Sequence, residues 1–272
     1  MQGPLREGIT LLSKDYVEAR ELSEGIARAV GSPRFYIERH AELERSQALF
    51  DGAPLVEKAL RLAAGYGDCL GHGQSHVRKV AIDTGALVLI EGAGDPDLPR
   101  LVLLAHLAGL LHDIKRSEKD HAHRGAEEAA LILKTFPLRM AENRAITQAI
   151  GNHEAFRTYE TLADPRAELL SNALYDADKF RWGPDNFTET VWAMVAPRRI
   201  PLRVLMAHFL PGLEGVRRIR ETFRTPTGRR YGPDFIDRGL EIGRRLHEAL
   251  MQKIDAEGVE ASRPPRGTPE KG

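Results

Sequence analysis

Three observations predict an all-α fold. Apolar residues recur at the three-to-four-residue spacing of a buried helical stripe through nearly every segment of the 272-residue chain. No run alternates β-branched and polar residues in the way a half-buried strand requires. Clusters of Gly, Pro and Asp, such as EGAGDPDLP, punctuate the chain between the helical segments. A chain of this length can bury one substantial core and carry an added helical layer.

Taken in order, the first helix is predicted from Asp15 to Val30, where Gly-Ser-Pro stops it, and the second from Arg34 to Phe50. Further helices are predicted over Pro54 to Ala64, Gln74 to Glu91, Asp97 to Lys115 and Ala122 to Phe136. The later ones cover Arg139 to Phe156, Asp164 to Phe180, Phe187 to Val195, Pro201 to Phe223 and Pro233 to Ala256. There is no internal repeat. The pattern divides into an N-terminal helical extension (1–52), a main domain (53–215), a C-terminal helical segment packed on it (216–258) and a tail (259–272). That tail is rich in Pro, Gly and charge, the composition of a disordered segment. The extension is expected to form a covering layer or a homodimer contact.

Composition narrows the function. Acidic and basic groups balance at 39 each, which gives no electrostatic reason to expect nucleic acid or an anionic membrane as partner. The longest apolar run, Leu101 to Leu111, is about half the ~20 residues that span a bilayer. Charges interrupt the first thirty residues, so no signal peptide is read there, and a single cysteine, Cys69, suits a reducing compartment. The expected location is cytoplasmic.

Histidine is unevenly spread: seven of the ten lie between His72 and His153. GHGQSHVRKV carries His72 and His76; LLHDIKR carries His112 and Asp113 at the end of an apolar helix, where Leu or Ala would pack without cost. HAHRGAE offers His121 and His123, AIGNHE offers His153, and ALYDADKF offers Asp176 and Asp178. Asp176 and Asp178 are about 200° apart around a helix, so only one of them can face a common centre. His106 is about 600° from His112 and faces elsewhere, as a packing residue. His40, His208 and His247 have no partners visible in the sequence. Imidazoles and carboxylates projecting inward from several helices are how bundles build metal sites, and this donor set suits Mn, Fe, Co, Ni or Zn. The near absence of cysteine argues against a structural thiolate site.

The order His76, His112-Asp113, Asp178 resembles the H…HD…D signature of the HD-domain metal-dependent phosphohydrolases, over about Pro54 to Pro211. SHVRKV is similar to the family's first-histidine helix, LAGLLHDI to its second, and LYDADKF to its aspartate helix, where the ligand follows alanine; that match selects Asp178 over Asp176. TPTGRRYGPDFIDRG also resembles the C-terminal part of small bacterial HD hydrolases, with a Thr-x-x-Gly-Arg stretch ahead of the last helix. HAHRGAE resembles the family's histidine-to-Gly-Ala segment at a shorter spacing, which points to His123, two residues before Gly125, with His121 as the alternative; His153 falls where another extra ligand would lie.

The resemblance therefore implies an HD-domain bundle with one or two divalent ions (Mn, Fe, Co, Ni, Zn or Mg) held by His76, His112, Asp113, His123, His153 and Asp178. Asp113 would bridge the two in a six-ligand site; a four-ligand, single-ion site is the other possibility. Hydrolysis of a nucleotide or other small phosphate ester would follow. Asp113 and Lys115 are the catalytic candidates, Lys115 as a positive charge for the phosphoryl group. His72, Arg78, Arg124 and Lys179 are candidates for substrate binding, with His72 alternatively behind the first ligand or a general acid. Two other readings compete: a di-iron HD oxygenase and a non-catalytic nucleotide-binding regulator. The alarmone hydrolases are set aside because Lys115-Arg116-Ser117 replaces their acidic pair. The cyclic-di-GMP phosphodiesterases are set aside because GNHEAFRTYE lacks their paired histidines and Gly-Tyr-Pro.

Overall fold

The computed structural model describes residues 14–66 and 73–261. Among these residues the protein is all-α, without strands. The helices are α1 (Lys14–Val30), α2 (Arg34–Glu38), α3 (His40–Asp51), α4 (Pro54–Ala64), α5 (Gln74–Glu91) and α6 (Leu98–Leu111). They continue with α7 (His121–Leu133), α8 (Met140–Gly151), α9 (Pro165–Phe180), a π-turn (Asn186–Thr190), α10 (Val191–Val195), α11 (Leu202–Ile219) and α12 (Pro226–Ala261). None of them is long and apolar enough to cross a membrane. His72 and Cys69 lie outside the described residues, as does the tail beyond Ala261.

Local chemistry sets several helix starts. Proline opens α4 and α9, where its missing N–H is one of the donors a helix start leaves unpaired anyway. Asp164 caps α9 by accepting from the Arg166 N–H at 2.9 Å. Thr225 does the same for α12, its Oγ1 accepting from Gly228 N at 2.8 Å, so α12 begins at Pro226 and runs through Pro233, seven residues earlier than the sequence reading placed it. The expected single helix over Arg34 to Phe50 is two helices, separated where Arg39 leaves helical geometry (φ −119°). The helix expected to reach Lys115 stops at Leu111, and the chain turns through His112 and Asp113.

The two central helices, α5 and α6, are buried almost all round, as a helix in the heart of a bundle must be. They pack closely because Gly109 has no side chain: a Cβ there would sit 2.4 Å from Ala81 Cα. Helix α9 lies across both, with α8 and then α7 beyond it, while α3 covers α5 and α12 carries α1 and α11. Residues 14–52 share the main core rather than lying on it, since Tyr16, Phe35 and Phe50 belong to the same buried cluster as Leu107 and Phe180. An aromatic knot does much of this joining. Phe180 of α9 stacks on Phe235 of α12 at 4.2 Å between ring centres, and Phe35 of α2 packs against both.

Candidate metal centre

Five helix ends converge on a single point. His76 is in the first turn of α5, His112 and Asp113 follow α6, His121 opens α7, His153 lies just past α8, and Asp178 is in the last turn of α9. His76, His112, Asp113, His153 and Asp178 are all buried.

One half of the cluster is His76, His112 and Asp178. His76 Nε2 lies 3.4 Å from His112 Nε2 and 3.5 Å from Asp178 Oδ1, and His112 Nε2 lies 3.6 Å from that same oxygen. Asp113 closes this half with Oδ2, at 3.4 Å from His112 Nε2 and 3.8 Å from His76 Nε2. Its other oxygen faces the second half: Oδ1 is 3.4 Å from His153 Nε2 and 3.8 Å from His121 Nε2. Asp113 thus presents one carboxylate oxygen to each pair of histidines.

The donor set suits metal. Ligands held at ~2.0–2.2 Å around a tetrahedral ion are about 3.3–3.6 Å from one another, and the three spacings in the first half fall in that range. Orientation is supplied from behind. His112 Nδ1–H donates to the carbonyl of Gly109 (2.8 Å) and His153 Nδ1–H to that of Ile150 (2.6 Å), which leaves each Nε2 with its lone pair facing the centre. Lys179 donates to Asp178 Oδ2 at 2.5 Å and so turns Oδ1 toward the histidines.

Electrostatics agree. Burial opposes a charged imidazole at His112, yet Asp113 and Asp178 beside it raise its pKa to about 10. Burial likewise disfavours the carboxylates, but His112 holds Asp113, and Lys179 with the histidines holds Asp178, well below the ordinary range. Two ionised acids buried together call for positive charge between them, which a divalent ion supplies more fully than a proton. His121 is the opposite case: burial, His153 and Arg116 lower its pKa to about 4, so it is a neutral imidazole. Two buried groups, His76–His112–Asp178 and His112–Asp113–His153, have ligand atoms close enough together to hold a metal ion.

The structure corrects several of the sequence assignments. His123 is 76% exposed and pairs with Glu127 (3.4 Å), while His121 faces Asp113. The reason is rotation: His121 and Gly125 are one turn apart on the inner face of α7, with Gly125 against the carbonyl of His112, and a residue two positions from His121 must point outward. Lys115 turns away from the centre to Glu118 (3.3 Å) and Glu128 (3.7 Å). Its neighbour Arg116 takes the inner position, its Nη1 donating to His121 Nε2 at 2.8 Å. Arg78 pairs with Asp51 over the Phe50 ring, and Arg124 with Glu127, both at the solvent side. Lys179, by contrast, is buried beside the cluster. His106 is a packing residue, its Nε2 at 3.0 Å from Ser46 Oγ and its ring edge-on to Phe50.

Sequence reasoning missed a buried support behind the cluster. The Arg181 guanidinium bonds to Asp83, Asp185 and the Tyr36 hydroxyl, tying α9 to α5 and α2. Asp176, the acid not chosen as ligand, accepts from Arg224 N (2.8 Å), Thr225 N (2.8 Å) and Thr225 Oγ1 (2.7 Å). A Cβ on Gly228 would meet its Oδ2 at 2.0 Å, so the Thr-x-x-Gly-Arg stretch is a clasp that holds the start of α12 on α9. His208 of α11 was also passed over; it lines a cavity of about 470 Å³ whose inner end is His76, Asp113, His121, His153 and Asp178.

Set against models of protein families, curated proteins and solved structures, the chain matches none.

Proposed function

We propose that the chain is a metal-dependent phosphohydrolase of the HD type, hydrolysing a small phosphate ester at a pair of divalent ions. The observation that carries this reading is Asp113, whose two oxygens face two separate histidine groups. His76, His112, Asp178 and Asp113 Oδ2 would hold one ion; His153, Asp113 Oδ1 and His121, whose Nε2 would exchange its Arg116 hydrogen bond for the metal, would hold the other. Such ions, when bound, supply Lewis-acid polarisation of a phosphoryl oxygen and activation of water near neutral pH.

The protein's own share is placement. The backbone carbonyls of Gly109 and Ile150 fix two imidazole rings, and Lys179 fixes the Asp178 carboxylate. Arg116 stands next to the second group of ligands, where its guanidinium can bind an equatorial phosphoryl oxygen and stabilise charge in the transition state. Burial keeps bulk water from the cluster and strengthens each of these interactions.

The test is a panel of phosphomonoesters and phosphodiesters with Mn, Co, Ni, Mg and Fe(II), run beside elemental analysis of wild type and Asp113→Ala. The expected result is hydrolysis with at least one metal, and loss of both metal and activity in the variant with helicity retained. Undiminished metal in Asp113→Ala would contradict the bridging assignment. The same histidine-rich set also suits a di-iron oxygenase. Hydrolysis under anaerobic conditions with Mn separates the two, because an oxygenase has an absolute need for oxygen.

A further inference from the structure

The cavity that ends on the His/Asp cluster carries its charged groups chiefly at the inner end, while its outer walls are largely apolar with Asn186, Thr190 and His208 as the polar exceptions. Its outer walls come from two sides. The π-turn and α10 contribute Phe187, Val191 and Met194, and α11 contributes Leu205, Phe209 and Leu213. The last three are spaced by four residues, so they form one stripe down the face of α11 that looks into the cavity. At the mouth stands Phe156, 54% exposed and held at φ +61° in the left-handed region that side chains rarely adopt. Backbone strain of this kind concentrates at ligand clamps.

Charge in the cavity is nearly all spoken for. Lys179 is bonded to Asp178, and Arg181 to Asp83 and Asp185. Glu154, also in the wall, adds negative charge. Arg116 is the cation whose guanidinium meets an imidazole rather than a carboxylate. Among the described lining residues, then, uncommitted positive charge lies at the inner end rather than along the α10 and α11 walls, and at the mouth the Arg218 guanidinium is stacked over Phe156 (4.5 Å). A di- or triphosphate chain extending outward would desolvate its charge against Leu205, Phe209 and Leu213.

We propose that the substrate is a phosphate monoester with one phosphoryl group on an apolar alkyl or aryl moiety. The phosphoryl sits at the cluster and Arg116, and the apolar part lies between α10 and the α11 stripe. This rests on the hydrolytic reading above. In the step, a water oxygen forms a bond to phosphorus, the ester P–O bond breaks, and the released alkoxide oxygen takes up the proton that the water gives up, giving an alcohol and inorganic phosphate.

The experiment uses the full chain loaded with Mn. Ethyl, butyl and hexyl phosphate share nearly the same leaving-group chemistry and differ in apolar length. Each buried methylene favours binding by about four-fold, so four of them set a ceiling of about 200-fold. The expected hexyl-to-ethyl ratio of kcat/KM is at least about ten-fold, with nucleoside triphosphates poorer than hexyl phosphate. Leu205→Asn and, as a more exposed site that leaves the core alone, Met194→Asn should each lower that ratio about three-fold or more. Calorimetry with ethyl- and hexylphosphonate, which cannot be hydrolysed, reads binding independently of turnover. A ratio near one in both measurements, or a nucleoside triphosphate preferred over hexyl phosphate, overturns the proposal while leaving the hydrolytic reading intact. Length-dependent phosphonate binding with no hydrolysis of any ester supports the site and overturns the hydrolytic reading instead.

Discussion

Replacing Gly109 by alanine adds one methyl group at the tightest helix crossing in the protein. That Cβ would lie 2.4 Å from Ala81 Cα, 2.7 Å from Ala81 N and 2.9 Å from Ala81 Cβ, where ordinary contact needs 3.4–4 Å. Two of the three obstacles are backbone, so no side chain can rotate away, and α5 and α6 must separate by about 1 Å in an interior packed at crystal-like density. Overpacking of this kind costs about 1–3 kcal/mol and sometimes more, against a helix-propensity gain of up to about 1 kcal/mol for Gly→Ala. The net expectation is a loss of about 1–2 kcal/mol, which lowers Tm by about 2–8 °C in a domain of this size. The same separation moves His76 on α5 away from His112 past the end of α6, so metal affinity should fall along with stability. Gly215→Ala in α11 is the control: nothing lies within 4 Å of its added Cβ, and it should stabilise by about 0.5–1 kcal/mol. Differential scanning calorimetry and metal titration of both variants check this. Equal Tm and equal metal affinity for Gly109→Ala and wild type would refute the close-crossing argument.

Other consequences are as direct. On the two-ion reading proposed above, His121→Ala should lower the metal-to-protein ratio from two toward one, while His123→Ala, altering an exposed pair with Glu127, should leave it unchanged; elemental analysis decides, and the reverse pattern would assign the ligand role to His123. His106 supplies a pH dependence, because burial lowers its folded pKa to about 4 from an unfolded 6.5. The unfolded chain takes up a proton that the folded one refuses, so stability is full above about pH 6.5 and is lost as pH falls toward 4, by about 3 kcal/mol over the window. Urea unfolding across that range should show a shallower decline for His106→Gln; parallel curves would mean that His106 is not the titrating group. Asp176→Ala leaves two buried N–H groups and the Thr225 hydroxyl without their acceptor and should cost about 2–4 kcal/mol, read as a drop in the urea midpoint. An unchanged midpoint would show that α12 does not depend on the clasp.

The two histidines of HAHRGAE show where legibility ended. The argument that only one of Asp176 and Asp178 can face the centre applies equally to His121 and His123, but it needs to know which face of α7 is buried. Gly125 held that information: it lies one turn from His121, on the face that meets the His112 carbonyl. Lys115 and Arg116 differ for a related reason. The helix ends at Leu111 rather than at Lys115, so the residues after Asp113 follow a turn, and the helical phase that would have aimed Lys115 no longer applies. The pairing of Arg181 with Asp83 was invisible because a buried ion pair between residues 98 apart leaves no periodic trace.

By itself, the sequence determined the helical class, most helix limits and the donor types, because periodicity, prolines and caps act within a few residues. It also singled out His76, His112, Asp113, His153 and Asp178, through a local pattern around each. Only the tertiary structure decided which rotation of each helix faces inward, and with it that His121 rather than His123 faces Asp113, that Arg116 rather than Lys115 turns inward, that Asp113 faces two histidine pairs, and that the cavity wall is largely apolar. Those choices depend on the packing of α5 through α11 against one another, and packing is a property of surfaces that meet across long stretches of chain.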